Sequence, residues 1–351
     1  MLCLIIIGCA AQEDAGATDG VAATTGGLAM EGEVHLRNVR QLTSGGENAE
    51  AYWAFDGSQL IYQARKPGAE GDQIYVLDPE STNTRMVSTG EGRTTCSYFY
   101  PSGNEILYSS THHHNAACPE NPDFSMGYVW PVYETYDVFA SNLDGSGLRQ
   151  LTTEDGYDAE ATFSPIGDRI VFTSARDGDL ELYSMAPDGS DVIRLTDRPG
   201  YDGGAFYSPD GSKIIWRAHY PEEGPELEDY RRLLSQGLLK PGELELYIMD
   251  ADGSNQQQLT HLGGANFAPY WHPSGEKIVF SSNHHDPDGR DFEIYMINLD
   301  GSGLTRITHA EGFDGFPVFS PDGRYLVFGS NRNNGGTSDT NVFIGEWVEI
   351  P

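Results

Sequence analysis

Basic residues are scarce in this chain. It carries 21 Lys and Arg against 53 Asp and Glu, a net charge of −32, and only four of the cations are lysines: Lys66, Lys213, Lys240 and Lys277. A surface this negative repels nucleic acid and argues against that partner class. It also repels itself, a cost that salt relieves, so a salt-rich habitat is expected. Long apolar runs are missing, and no stretch is long enough to span a bilayer. Cysteine is limited to Cys3, Cys9, Cys96 and Cys118. Catalytic signatures are thin: there is no G-x-S-x-G, no phosphate-binding loop and no zinc-protease His pair. The many Asp-Gly and Asn-Gly pairs are turn chemistry and not a calcium loop.

What the chain has in abundance is one repeated pattern. Tyr157 to Gly178 reads YDAEATFSPIGDRIVFTSARDG, and Tyr201 to Ala218, Ala265 to Asn283 and Phe313 to Asn331 repeat it, with looser copies at Asn48 to Ala64 and Thr94 to Thr111. Each copy joins short β-rich runs by turns. Pro presets the dihedral of a Ser-Pro-Asp-Gly turn and Gly accepts its positive φ; Asp-Gly-Ser closes the next hairpin. Four such runs make an antiparallel sheet without helical period. The fourth run ends in Leu42-Thr43, Val87-Ser88, Leu151-Thr152, Leu195-Thr196, Leu259-Thr260 and Ile307-Thr308, spaced 45, 64, 44, 64 and 48 residues apart. A four-stranded unit of about 40–45 residues is a propeller blade, so six units predict an all-β, six-bladed β-propeller over 34–351. The two long intervals hold insertions, at 111–135 and 220–242. The sixth copy offers strands at Phe316–Phe319, Leu326–Gly329 and Asn341–Ile344 but no fourth. The orphan strand Leu36–Thr43 is expected to close the ring as that blade's outer strand.

The Ser-Pro-Asp-Gly turns, the loop Ser174, Arg176, Asp177, Gly178 and the Asp-Gly-Ser turns before Leu-Thr resemble the TolB-type, WD40-like (PD40) propeller repeat, also found in the propellers of prolyl-oligopeptidase-type proteases. The Gly-His and Trp-Asp signatures of true WD40 repeats are absent, as is the TolB N-terminal domain. The resemblance, over about 34 to 347, is to a stand-alone propeller. It implies protein or peptide partners.

Residues 1–9 (MLCLIIIGC) resemble a bacterial lipobox segment in which Cys9 is lipidated, although the apolar region is short and lacks a basic start; the start codon then lies upstream. The alternative is a short apolar start with an ordinary Cys. Residues 10–33 read as a flexible tether. In an exported chain the remaining Cys96 and Cys118 read as a disulfide pinning the first insertion, against the alternative of two free thiols. That insertion holds His112-His113-His114, Cys118, Tyr128, Trp130 and Tyr133. The His run has no zinc-type spacing and reads as a solvated loop. The second insertion contains the one convincing helix: Pro225 near its start, Glu226, Glu228 and Asp229 in its first turn, Gly237 near its end. Leu227, Tyr230, Leu234 and Leu238 share a side that packs on the propeller or docks a partner.

Both insertions connect second to third strands, and so share a face with the mouth of the central channel. Aligned copies place a first ring there: Asn48, Thr94, Asp158, Asp202, Asn266 and Asp314. Two positions deeper stand Glu50, Cys96, Glu160, Gly204, Ala268 and Phe316. A second ring follows the second strands: Arg65 or Lys66, His112, Arg176, His219, His284 and Arg332. The functional reading is a polar pocket for an anionic group or a metal. The structural reading is that Arg and His of one blade pair with Asp of a neighbour and hold the ring together. The chain is therefore read as an exported, periplasmic or cell-surface lipoprotein, monomeric and without cofactor, that binds a protein or peptide partner at the channel mouth. The alternative is a hydrolase or lyase built on His112, His219, His284, Arg176 and Asp158.

Overall fold

The computed structural model describes residues 27–122 and 129–350. Six four-stranded antiparallel sheets form the ring expected from the repeats. Blade 1 runs through Glu47–Trp53, Leu60–Arg65, Gln73–Leu77 and Thr84–Met86. Blade 6 takes its inner strands from Asp314–Phe319, Tyr325–Ser330 and Asn341–Trp347. Its outer strand is Leu36–Gln41, paired antiparallel with Asn341–Trp347 from Leu36 opposite Trp347 to Gln41 opposite Phe343. The ring is closed by the N-terminal strand.

Each blade is filled by one aromatic column. The third or fourth residue of every second strand is aromatic and at most 1% exposed: Tyr62, Tyr108, Phe172, Trp216, Phe280 and Phe328. Each packs on an aromatic of the third strand (Tyr75, Phe139, Tyr183, Tyr247, Tyr295 and Phe343) with centroids 5.7–6.4 Å apart. Each such burial contributes about 1.5–3 kcal/mol, and the ring–ring geometry about 0.5–1.5 kcal/mol more.

The Leu-Thr pair of each outer strand has a structural task. The hydroxyls of Thr43, Ser88, Thr152, Thr196, Thr260 and Thr308 accept the N–H of the second residue of the third strand at 2.8–3.0 Å. Val would fit the pocket but leave that buried N–H orphaned. Blades are stitched in turn by the backbone. The N–H groups of Asn48, Thr94, Asp158, Asp202, Asn266 and Asp314 donate to carbonyls of the preceding blade (Thr340, Asp72, Tyr136, Leu180, Leu244 and Phe292) at 2.7–3.0 Å. The turns explain part of the acidity. Asp144, Asp188, Asp252 and Asp300 each accept the N–H and hydroxyl of the Ser two residues on, and Asp210 does the same for Ser212.

Every inner strand bulges at one shared position, with register breaks between 49 and 52, 95 and 98, 159 and 162, 203 and 206, 267 and 270, and 315 and 318. The bulged residues are Glu50, Cys96, Glu160, Gly204, Ala268 and Phe316, all at φ between 47° and 60°. Only one of them is Gly; the left-handed conformation costs an L-residue about 1–2 kcal/mol, and tertiary packing imposes it here.

The two insertions meet. Trp130–Pro131 of the first pairs antiparallel with Leu238–Leu239 of the second, with Leu239 opposite Trp130. Helix α1 (Pro225–Leu234) turns Tyr230 and Leu233 onto the ring, with Leu227 and Leu234 half-buried beside them. The helix stops before Leu238, which belongs to the short strand instead. The expected packing of α1 on the propeller is therefore seen, anchored by the Tyr230 hydroxyl donating to Gly200 O at 2.5 Å. Glu33, placed by sequence in the tether, is 4% exposed and paired with Arg332. Cys3, Cys9, the lipobox reading and Tyr128 lie outside the described residues.

Candidate functional site on the insertion face

The six bulges direct their residues to the axis, and all six line a small central cavity together with Tyr52, Trp130, Phe206, Arg217 and Phe267. Its free volume is about 30 Å³, room for a water or two. The channel is thus plugged by side chains. Its polar centre is an ion pair between blades 3 and 4. Arg217 Nη2 donates to Glu160 Oε1 at 2.5 Å and Arg217 Nε to the Tyr201 hydroxyl at 3.0 Å. Glu160 Oε2 accepts Gly204 N at 2.8 Å and Thr173 Oγ1 at 3.0 Å. Burial alone would raise the Glu160 carboxyl, but Arg217 and these donors hold it below the usual range. The Gly203-Gly204 doublet makes the space: a Cβ at Gly203 would stand 2.3 Å from Glu160 Oε2, and one at Gly204 2.0 Å from Arg217 Nη1. Glu50 faces the same cavity, and burial pushes its carboxyl up to about 7 against the pull of Arg217. Burial lifts the neighbouring Cys96 thiol to about 12.

The disulfide expected between Cys96 and Cys118 is not formed; both thiols are free. The bulge turns Cys96 into the cavity, whereas Cys118 Sγ donates to Gly92 O at 3.2 Å at the blade edge.

The first ring is buried in the blade junctions, each member at most 1% exposed. Three members of the second ring pair with it inside the same blade, not across to a neighbour. Arg176 Nη2 reaches both Asp158 oxygens at 3.1–3.2 Å, Lys66 Nζ reaches Asn48 Oδ1 at 2.9 Å and Arg332 Nη2 reaches Asp314 Oδ2 at 2.5 Å. The reason is register: the first residue of an inner strand sits opposite the last of its own second strand, as Asp158 sits opposite Ser174. The histidines are also engaged locally. His112 Nδ1 meets Ser110 Oγ at 2.8 Å, His219 Nδ1 meets Glu243 O at 2.8 Å, and His284 packs on Tyr295 with centroids 4.6 Å apart. Asn266 donates to Leu244 O and Gly263 O. The sequence-derived residues therefore divide. Glu50 and Glu160 reach the axial cavity, and Asn48, Asp158, Asp202, Asn266, Asp314, Arg176, Arg332, His112, His219 and His284 serve the blades around it. Among the described residues, no three His, Cys, Asp or Glu cluster as metal ligands.

An open pocket of about 650 Å³ lies beside the plug, between the insertions and blades 4 to 6. Trp130, Phe267, Phe292 and Phe313 give it an aromatic floor, Pro241 and Pro287 stand at its sides, and Arg290 and Asp288 mark its rim. The Phe267, Phe292 and Phe313 rings pack at 5.4 and 6.1 Å. Asn283 shapes the wall by donating to Pro287 O and Gly289 O and accepting Ala265 N. Sequence reasoning missed this pocket. Its aromatics stand one residue outside the aligned rings, at Phe313 before Asp314 and Phe267 after Asn266, and the spacing of the copies could have shown them.

A ring of six four-stranded blades, closed by the N-terminal strand and plugged at its axis, defines a β-propeller with one modified face. The chain belongs to the TolB beta propeller family: the TolB beta propeller domain (PD40) matches residues 131–227 and 245–340. In fold it is similar to TolB from Acinetobacter baumannii, at 18% identity and a TM-score of 0.57, covering 78% of this chain and 57% of that one. This chain thus spans little more than half the length of that relative. It is also similar to a TolB homologue from Agrobacterium tumefaciens (20% identity, 87% of this chain and 91% of that, TM-score 0.57) and to a gluconolactonase from Xanthomonas campestris (12%, 90% and 91%, 0.58).

Proposed function

We propose that this chain is an exported, non-catalytic binding propeller that takes a peptide segment of a protein partner on the insertion face. The observation that carries the reading is the pocket of about 650 Å³ walled by Trp130, Phe267, Phe292 and Phe313. Aromatic walls with a few polar groups at the rim are how rigid scaffolds hold short segments. The rim cation Arg290 is exposed and makes no ion pair among the described residues, so it is available to an acidic or carboxylate group on the partner. The hydrolase or lyase reading draws on His112, His219, His284, Arg176 and Asp158, whose contacts include Ser110, Glu243, Glu226, Tyr295 and Tyr136.

The test places photocrosslinking residues at Pro241 and Arg290, with controls at Ile166 and Ile193 away from the pocket. Protein crosslinks from the first pair alone support the reading. Crosslinks from the controls alone overturn it. Recovery of a stoichiometric small molecule or metal in place of a protein turns the assignment to the enzymatic class.

A further inference from the structure

Two buried carboxyl groups meet where blade 3 joins blade 4. Glu181 opens the third strand of blade 3 and is 1% exposed; Asp202 is the second residue of the inner strand of blade 4, Tyr201–Tyr207, and is fully buried. Arg194 Nη2 donates to Glu181 Oε1 at 2.8 Å, and Thr196 also bonds this carboxyl. Trp216 Nε1 and the Tyr220 hydroxyl both donate to Asp202 Oδ1 at 2.6 Å. The other two oxygens, Glu181 Oε2 and Asp202 Oδ2, are buried with no donor, although the carboxyls are within hydrogen-bonding reach of each other. Two ionised carboxylates only accept; neither can satisfy the other.

The sixfold repeat supplies an internal comparison. At the junction of blades 6 and 1 the same two positions are amides, and Asn48 Nδ2 donates to Asn341 Oδ1 at 3.2 Å. Between blades 4 and 5 an amide faces an acid, and Asn266 Nδ2 donates to Glu245 Oε2 at 3.3 Å. Between blades 2 and 3 both are acids, but His113 and Gln150 take Asp137 Oδ2 while Arg176 takes Asp158. Between blades 1 and 2 the positions are Gln73 and Thr94, and each donates to a carbonyl. In each of these four a donor covers the facing groups. The junction of blades 5 and 6 repeats the problem of blades 3 and 4, with Glu293 Oε2 and Asp314 Oδ1 lacking donors, but Arg306 and Arg332 reach that pair. At the junction of blades 3 and 4 the guanidinium of Arg194 reaches Glu181 and Asp177, and no guanidinium bonds Asp202 among the described residues. The other titratable and charged groups nearby are Asp177 behind Arg194, Asp179, Tyr220, Tyr230, Tyr247 and Arg198, which stacks on the Tyr220 ring at 3.9 Å. None of them supplies a donor to the two orphaned oxygens.

We propose that Glu181 and Asp202 form a buried proton-binding site, holding one proton between Glu181 Oε2 and Asp202 Oδ2 at neutral pH. The protonated Asp202 plays the part that the amide plays in Asn266. Burial raises both carboxyls, in agreement with this placement. The site reaches the insertion face through Tyr220, which stands at the root of the second insertion and donates its hydroxyl to Asp202 Oδ1. A carboxyl whose folded pKa is raised contributes full stability below its unfolded value, and that stability falls as pH rises toward the folded value.

The test is infrared difference spectroscopy of the full chain against Asp202→Asn, with melting curves of both across pH. The proposal expects the neutral-pH spectrum to lose one protonated-carboxyl C=O band in the variant. It expects the variant to melt at or above the parent at neutral pH, with the gap closing below about pH 4 where the unfolded Asp is also protonated. Glu181→Gln is the second variant, expected to flatten the same pH slope. An unchanged carboxyl band, with a drop in melting temperature equal at about pH 5 and about pH 8, means Asp202 is ionised and overturns the proposal. A potassium-specific rise in melting temperature that Asp202→Asn abolishes also overturns it, because a metal cation then stands where the proton is placed.

Discussion

Arg217→Met leaves Glu160 as an unpaired carboxylate at the propeller axis. The Arg217 and Glu160 side chains are 10% and 4% exposed, so solvent screens them little. Breaking such a pair by removing one partner costs about 3–5 kcal/mol, whereas replacing both by neutral groups of similar volume is close to neutral. For a propeller of about 320 residues, an unfolding entropy of roughly 2.1 cal/mol/K per residue gives about 0.7 kcal/mol/K. A loss of about 4 kcal/mol then lowers the melting temperature by about 6 °C. Calorimetry at neutral pH measures this directly. The double variant Glu160→Gln/Arg217→Met should recover most of the loss, because Gln still accepts Gly204 N and Thr173 Oγ1 without a charge. In the single variant the orphaned carboxyl takes up a proton, so the deficit shrinks as pH falls. A melting temperature within a degree of the parent refutes the reasoning. So does a double variant no better than Arg217→Met.

Glu50, raised to about 7 by burial, binds its proton more tightly in the folded chain than in the unfolded one. Stability should fall as pH rises from about 4.3 to about 7, by about 1.4 kcal/mol for each step of one in pH, and Glu50→Gln should remove that slope in pH-resolved melts. Thr152→Val orphans the Val138 N–H and one Asp137 oxygen, both served by the Thr152 hydroxyl at 2.9 Å; the expected cost is about 2 kcal/mol, read by chemical denaturation. With 53 acidic residues against 21 basic ones, added KCl should raise the melting temperature until the Debye length falls to about 3 Å near 1 M; a flat response contradicts the saline-habitat expectation.

The fold was legible because its signals repeat. Ser-Pro-Asp-Gly fixes a hairpin wherever it stands, and the Leu-Thr spacing counts blades because each hydroxyl latches one third strand. The orphan strand at Leu36 named its own partner by elimination. The site was less legible. Pairing of Arg176 with Asp158 inside one blade follows from strand register, which ring alignment alone leaves open. The left-handed bulges carry Glu, Cys, Ala and Phe, residue types that local preference keeps out of that conformation, so no turn signal betrays them. The Glu160–Arg217 pair joins residues 57 apart. Its trace is faint but present: Arg217 is the only charged residue in a column otherwise filled by Gln63, Ser109, Thr173, Ser281 and Gly329, and it stands opposite the Gly203-Gly204 doublet. The union of Trp130 with Leu239 had no sequence signal, since two residues are too few to show a strand.

Ring closure by the N-terminal strand sets an order of assembly. Leu36 leaves the ribosome long before its partner Trp347, so this early strand is among the last to find its place. Until Asn341–Trp347 arrives, blade 6 lacks its middle and its seam with blade 1 is incomplete. The growing chain is therefore an open arc with two sticky ends, able to pair with another arc as readily as with itself. Loss of Asn341–Trp347 would not trim the molecule; it would leave the circle unfastened, with Leu36–Gln41 and Tyr325–Ser330 both short of a partner strand.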